Sequence, residues 1–191
     1  YGNAKFHVVG RLDMDTSGII VIGKHSHSAA VLTKNGGEKE YIAIVEGKLE
    51  EPSGTIDLPI DDSDPAVHKS FIAETGQPSV TEYETIATND VLTAVRVRPK
   101  TGRTHQIRVH MKHKGCPLFN DERYGGDQIL KGIPSSSYKQ FIKKCFEICP
   151  RQALHAKTLG FEHPRTHERM FFNSELPEDF ASLLKKWEEI V

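Results

Sequence analysis

The chain has 191 residues, and 25 Lys and Arg against 26 Asp and Glu give a formal net charge of −1. This length suits one domain that buries a core without disulfides, and 37% hydrophobic with 27% charged residues is typical of a globular protein. No apolar run approaches the roughly 20 residues that span a bilayer, no stretch resembles a secretory signal, and the near-zero charge by itself argues against a nucleic-acid partner. The three cysteines form no C-x-x-C pair and predict free thiols, so we expect a cytoplasmic protein with no membrane partner.

Short β-branched or alternating runs predict strands, and periodic segments bounded by Ser, Gly or Pro predict helices. In chain order these are a buried strand at 19–23, a helix at 26–34, strands at 40–47, 55–60, 68–74, 79–87 and 91–98, helices at 104–114 and 136–147, strands at 155–161 and 168–173, and a helix from 177. The helices are interspersed among the strands and do not alternate with them. We therefore expect an α+β fold, with a mixed, mainly antiparallel sheet and flanking helices and loops.

Residues 91–120 contain no Asp or Glu, and their cations lie on a predicted strand, a turn and a helix. The cations are Arg96, Arg98, Lys100, Arg103, Arg108, Lys112 and Lys114. A charge run is often only a solvated face, but these residues are close enough in sequence to converge on one surface that attracts RNA phosphates. With the acidic residues concentrated in 46–64 and 175–189, we expect this positive surface to be confined to one cleft. RNA affinity should then fall steeply as salt rises.

Motifs for common cofactors are absent: the sequence has no G-x-G-x-x-G, no P-loop, no H-E-x-x-H and no G-x-S-x-G. Ten histidines raise the alternative of a metal site, and His105, His110, His113 and Cys116 are close in sequence. That group lacks the paired-ligand spacing of structural zinc sites. We expect neither a metal nor a cofactor.

Four phrases carry more specific information. They are 11–18 (RLDMDTSG), 39–47 (KEYIAIVEG), 101–111 (TGRTHQIRVHM), which continues to Asp121 and Tyr124-Gly125, and 151–156 (RQALHA). In this order the phrases resemble the RluA-type pseudouridine synthase family, and the resemblance covers nearly the whole chain.

The resemblance implies a catalytic domain with a central cleft that flips uridines out of RNA and isomerises them to pseudouridine without a cofactor. It implies that Asp13 is the catalytic carboxylate, acting as nucleophile or base, and that Arg108 is the basic partner that keeps it ionised. Tyr41 matches the active-site tyrosine, whose ring stacks on the base or whose hydroxyl takes part in removing the C5 proton. The structural alternatives are a buried Arg–Asp ion pair and a tyrosine that packs within a strand.

Other residues of the same phrases match substrate contacts. Arg11 matches the residue that fills the space left by the flipped base, and Arg103 is expected on a phosphate. Leu154 is expected on the apolar wall of the pocket. His105 and Gln106 complete the predicted substrate-binding set.

We expect one catalytic domain over 1–191, without its opening strands or any upstream RNA-binding domain, that acts as a monomer on a stem-loop of ribosomal or transfer RNA. A non-catalytic RNA-binding module of the same fold is the alternative from another class. A hydrolase of glycosidic bonds would need a second carboxylate beside Asp13. Asp15 is the only local candidate, and we interpret it as part of a turn with Ser17 and Gly18.

Overall fold

The computed structural model describes residues 5–63, 69–89, 91–128 and 135–188. The helices within them are α1 Ser26–Asn35, α2 Gln106–His113, α3 Ser136–Ile148 and α4 Glu178–Glu188. The strands are β1 His7–Val9, β2 Ser17–Gly18, β3 Val21–Gly23, β4 Glu38–Glu46, β5 Ser53–Asp57, β6 Ile60–Asp61, β7 Phe71–Ile72, β8 Val80–Thr88, β9 Leu92–Pro99, β10 Leu154–Glu162 and β11 Arg169–Asn173. Of the strand predicted at 68–74 only β7 is present, and position 68 lies outside the described residues.

The main sheet has seven strands, with six in the order β11-β10-β4-β9-β8-β5 and β2 beside β10. All strand pairings of the described residues are antiparallel except the one between β2 and β10, which is parallel. Helices flank the sheet, so the predicted α+β class with a mixed, mainly antiparallel sheet is confirmed. The parallel pair is short, but it positions the loop between β1 and β2, which contributes to the site described below.

Strand β4 runs through the middle of the sheet and is buried on both faces. Its Tyr41, Ala43 and Val45 join the core that includes Ile107 and Met111 of α2. Ile42 and Ile44 point the other way, into a second core built with α3 and α4. This alternation follows from the two-residue period of a strand, and it places the Tyr41 ring on the α2 side of the sheet.

The prediction of a strand at 19–23 is confirmed for its last three residues, which form β3, but the prediction that this strand is buried is wrong. Strand β3 pairs with β1 in a two-stranded ribbon outside the main sheet. Ile22 is 53% exposed, and its cross-strand partner Val8 is exposed as well. An apolar run indicates a strand, but it does not reveal how many neighbours will cover that strand.

The three cysteines are buried and form no disulfide, as predicted. Cys145 and Cys149 lie in the core beneath α3. Burial, with a contribution from the nearby Asp179 charge, raises the pKa of the Cys149 thiol to about 11, so this thiol stays protonated near neutral pH. No helix of the described residues is long and apolar enough to cross a membrane.

Candidate active site

Asp13 lies in the loop between β1 and β2, which turns sharply after it. The Thr16 amide donates a hydrogen bond of 3.0 Å to the Asp13 carbonyl oxygen, and Asp15 adopts a left-handed backbone with φ of 67°. Gly18 then lies so close to β10 that an added Cβ would come within 2.2 Å of the Ala156 carbonyl oxygen. The predicted turn is present at Asp15, whereas Ser17 and Gly18, which were predicted to belong to it, form strand β2 and hold the Asp13 loop against the strand that pairs with β4.

Two side chains from the segment before β10 secure the same loop. Arg151 donates from Nη1 to the Asp15 carbonyl oxygen at 2.9 Å, while its guanidinium forms a bidentate ion pair with Asp179 of α4. Gln152 donates from Nε2 to the Met14 carbonyl oxygen. The backbone of the turn is therefore held at Met14 and Asp15. Sequence reasoning did not predict this role for Arg151 and Gln152.

Arg108 lies in α2 and is buried between two carboxylates. Its Nε and Nη2 donate to Asp121 at 2.7 and 2.8 Å, and its Nη1 is 3.5 Å from Asp13 Oδ2. The guanidinium also lies over the Tyr124 ring, at 5.0 Å from its centroid. Burial alone would lower the pKa of Arg108, but the hydrogen bonds and charge of Asp121, together with Asp13, raise it above its usual value. The predicted Asp13–Arg108 pair is present, and Asp121 is the closer partner.

Sequence reasoning assigned no role to Asp121, although the chain contains a signal for it. Asp121 is the first acidic residue after the acid-free stretch 91–120. Its side chain is 1% exposed, and a buried carboxylate requires a cationic or hydrogen-bonding partner. Of the cations in the preceding stretch, Arg108 supplies it.

Tyr41 has its ring on the same side of the sheet as α2 and is 9% exposed. Burial, with a further contribution from the Asp13 carboxylate, raises the pKa of Tyr41 to about 12. The phenol is therefore neutral over the ordinary pH range. A neutral ring beside a carboxylate can support a planar base by stacking and can donate a hydrogen bond.

A cavity of about 200 Å³ opens between the Asp13 loop, β4 and the segment before α2. It brings together most of the predicted site residues, namely Asp13, Tyr41, Arg11, Arg103, His105, Gln106 and Leu154. Arg108 lies behind it, in the wall of a neighbouring polar cleft of about 520 Å³. We call the first space the active-site cavity and the second the polar cleft. His105 lines both.

His105 and Gln106 both have partners within the protein. His105 takes a left-handed φ of 54° and pairs through Nδ1 with the Tyr124 hydroxyl at 2.9 Å; burial lowers its pKa, which favours the neutral ring. Gln106 Oε1 accepts from the Thr101 hydroxyl and the Arg103 amide, and its Nε2 donates into β8. These bonds shape the turn that forms one wall of the active-site cavity. Substrate contact by either residue stays a prediction.

Arg11 and Arg103 are the predicted substrate-binding cations that line this cavity. Arg11 is exposed and donates to the Thr104 hydroxyl at 3.1 Å, and Arg103 donates to the Pro78 carbonyl oxygen at 3.2 Å. Neither forms an ion pair within the described residues. Their positive charges are thus available to an anionic ligand.

The expectation that the cations of 91–120 act as one positive surface is wrong for the strand portion. Glutamates of the two neighbouring strands neutralise these strand cations in ion pairs with N···O distances of 2.8 to 3.7 Å. Arg96 and Arg98 pair with Glu40 and Glu84, and Lys100 pairs with Glu82. The physical reason is that these acids are far away in sequence but lie opposite or diagonal to the cations on neighbouring antiparallel strands, as Glu84 does opposite Arg96.

Nowhere among the described residues do three His, Cys, Asp or Glu side chains come together as metal ligands. His110, one of the residues considered for a metal, instead pairs through Nδ1 with the Thr81 hydroxyl at 2.8 Å and through Nε2 with the Leu58 carbonyl oxygen at 3.0 Å. Both ring nitrogens are therefore occupied by protein groups. Burial lowers the pKa of His110.

Comparison with known proteins gives consistent matches. The family model described as RNA pseudouridylate synthase matches residues 1–113. The chain is 38% identical over 186 residues to an uncharacterized RNA pseudouridine synthase, YjbO, of Bacillus subtilis, covering 95% of this chain and 59% of that protein. It is 40% identical over 181 residues to ribosomal large subunit pseudouridine synthase D of Pseudomonas aeruginosa, covering 93% of this chain and 55% of that protein. The chain thus spans somewhat more than half the length of these relatives.

Solved structures match over most of the fold. Human RNA pseudouridylate synthase domain containing 4 superposes with a TM-score of 0.75 at 23% identity, covering 96% of this chain and 76% of that chain. Human RNA pseudouridylate synthase domain containing 1 superposes with a TM-score of 0.67 at 26% identity, covering 91% and 70%. The first likeness concerns the fold alone.

Proposed function

The chain belongs to the RNA pseudouridylate synthase family, and we propose that it isomerises specific uridines of structured RNA to pseudouridine. The observation that carries the proposal is the active-site cavity, where Asp13 and Tyr41 share one space and a buried Arg108 backs the carboxylate. The substrate is a stem-loop of ribosomal or transfer RNA, since unpaired loops allow a base to leave its stack.

The reaction rearranges bonds within one nucleotide. The N1–C1′ bond of uridine breaks, the uracil turns, and a C5–C1′ bond forms. C5 loses its proton and N1 gains one, so the product is an isomer of the substrate and no group is added or removed. The protein must therefore supply a carboxylate, a base-binding surface and a route for one proton.

Asp13 is the carboxylate that acts on the nucleotide, as nucleophile at the sugar or as base. Arg108 Nη1, at 3.5 Å from its Oδ2, places a positive charge beside this carboxylate. Tyr41 supports the uracil with a neutral ring, and Leu154 provides an apolar wall. The fixed turn around Asp15 keeps the carboxylate in place while the base rotates.

Arg11 and Arg103 bind the RNA outside the flipped nucleotide. Arg11, which lines the cavity, enters the space that the flipped uridine leaves in the RNA stack, where a planar guanidinium can replace the lost stacking contacts. Arg103 contacts a phosphate. His105 and Gln106 line the cavity wall, and their contribution to substrate binding is mainly to set the shape of that wall.

The test is release of tritium from RNA labelled at uridine C5, because C5 must lose its hydrogen. The substrate is total RNA from cells that lack this protein, so that its target uridines are unmodified. We expect release by the wild-type chain and a loss of about 10³-fold or more in the Asp13→Asn variant. Asp62→Asn, which changes an exposed carboxylate away from the cavity, is the matched control and should keep the wild-type rate.

Each other outcome argues against the proposal in a different way. RNA binding without any tritium release would indicate a non-catalytic RNA-binding module. Free uracil as product would indicate a glycosidic hydrolase. Tritium release at the wild-type rate by Asp13→Asn would show that Asp13 is not the catalytic carboxylate.

A further inference from the structure

Lys39 lines the active-site cavity but has no role in the reaction proposed above. It is two residues before Tyr41 on β4, so both side chains project from the same face of the strand. Glu40, between them, projects from the opposite face, where it pairs with Arg96 and Arg98. Lys39 therefore shares its surroundings with Tyr41 and not with the ion pairs of the sheet.

The Lys39 side chain lines two adjoining spaces. One is the active-site cavity, and the other is a smaller cavity of about 100 Å³ whose walls include Leu32, Leu159 and Phe161. The ammonium rests against Gly10, where an added Cβ would lie 3.1 Å from Nζ. The positive charge is thus held at the boundary between an apolar pocket and the site of reaction.

This ammonium has no counter-charge. Across residues 5–63, 69–89, 91–128 and 135–188 it forms neither a hydrogen bond nor an ion pair, and its neighbour Glu38 is paired with Arg169. Burial lowers the pKa of Lys39, as expected for a cation that has lost water without gaining an anion. Arg11 lines the same two cavities, and Asp13, the carboxylate in the lining of the larger one, faces Arg108.

We propose that Lys39 binds one phosphate of the RNA strand, next to the flipped uridine and beside Arg11. The inference rests on the proposed function and adds a subsite to it. A phosphate is the fitting ligand because it neutralises the ammonium, which an uncharged uracil carbonyl cannot do. The apolar walls beside the ammonium exclude water and strengthen the ion pair.

The test measures RNA affinity against KCl concentration, with the same unmodified total RNA as probe. In Lys39→Gln we expect the slope of log K against log[KCl] to become shallower by roughly 0.7 to 0.9, the value for one phosphate contact. Lys39→Arg keeps the charge and should keep the wild-type slope. Lys185→Gln removes an exposed lysine of α4, away from both cavities, and should leave the slope unchanged.

Stability separates this role from a structural one. Because Lys39 has no partner among the described residues, Lys39→Gln should unfold in urea at the same concentration as wild type or a higher one. An unchanged slope in Lys39→Gln overturns the phosphate site, even if turnover falls. A different result would be a shallower slope in Lys39→Gln combined with no tritium release by the wild-type protein. That result would support the phosphate site and overturn the proposed isomerase activity.

Discussion

Arg108 is shared unequally between two carboxylates. Asp121 accepts hydrogen bonds of 2.7 and 2.8 Å, whereas Asp13 lies 3.5 Å from Nη1. Asp121 thus fixes the guanidinium, and Asp13 receives its positive field while keeping its oxygens for the cavity. The division suits the proposed role of Asp13, because a carboxylate held in its own bidentate ion pair would be a poorer nucleophile or base.

Replacing Tyr41 by Phe should lower tritium release by less than about tenfold, because the stacking ring remains. Burial and the Asp13 charge raise the pKa of Tyr41 to about 12. The phenol is therefore protonated from about pH 7 to 9.5, and the ratio of wild-type to Tyr41→Phe rates should stay constant over that range. Tyr41→Leu, which removes the ring, should be slower by at least another factor of about ten. A ratio that rises with pH would assign proton removal to ionised Tyr41.

Among the elements, the two-residue strand β2 has the largest effect on the site. It joins the sheet by parallel pairing with His155 and Ala156 of β10, and Ala156 is opposite Tyr41 on β4. The Asp13 loop ends directly in this strand. The position of the carboxylate therefore depends on close backbone contact at Gly18.

Gly18→Ala should destabilise the fold and reduce tritium release, since its Cβ would lie 2.2 Å from the Ala156 carbonyl oxygen and its φ is 117°. Gly36→Ala is the matched control: its φ is 69°, but nothing lies within 4 Å of the added Cβ. Gly36→Ala should cost about 1 to 3 kcal/mol of unfolding free energy from backbone strain alone, because φ of 69° with ψ of −159° is a conformation that only glycine adopts readily. Gly18→Ala should cost about 2 kcal/mol more, because β2 must move. Urea denaturation measures both, and equal costs would contradict the close contact.

Local sequence pattern was sufficient for elements whose burial repeats regularly. Alternation in β9 and helical periodicity in α3 predicted those elements to within one residue at each end. It could not predict β2, because a two-residue strand exists only through a partner about 138 positions further along the chain. The same limit applies within the site. The family resemblance predicted Asp13, Tyr41 and Arg108, but the restraint by Arg151 and Asp121 depends on tertiary contacts.

At the scale of the whole molecule, the net charge of −1 conceals an uneven distribution. The cations of β9 are neutralised across the sheet by glutamates of β4 and β8. The cations at the active-site cavity, Arg11, Lys39 and Arg103, have no ion-pair partner among the described residues. A nearly neutral protein can therefore present a local positive surface where its proposed substrate enters.

This distribution predicts that two arginines of the same sequence stretch differ in their effect on RNA binding. Arg103→Gln should weaken RNA binding and make the salt slope shallower by about 0.7 to 0.9, because Arg103 offers an uncompensated charge in the lining of the cavity. Arg96→Gln removes the same formal charge, but its field is already offset by Glu40 and Glu84. It should leave the slope near the wild-type value and cost at most about 1 kcal/mol of stability. If both variants flattened the slope equally, RNA would respond to the total charge of residues 91–120 and not to the unpaired cations at the cavity.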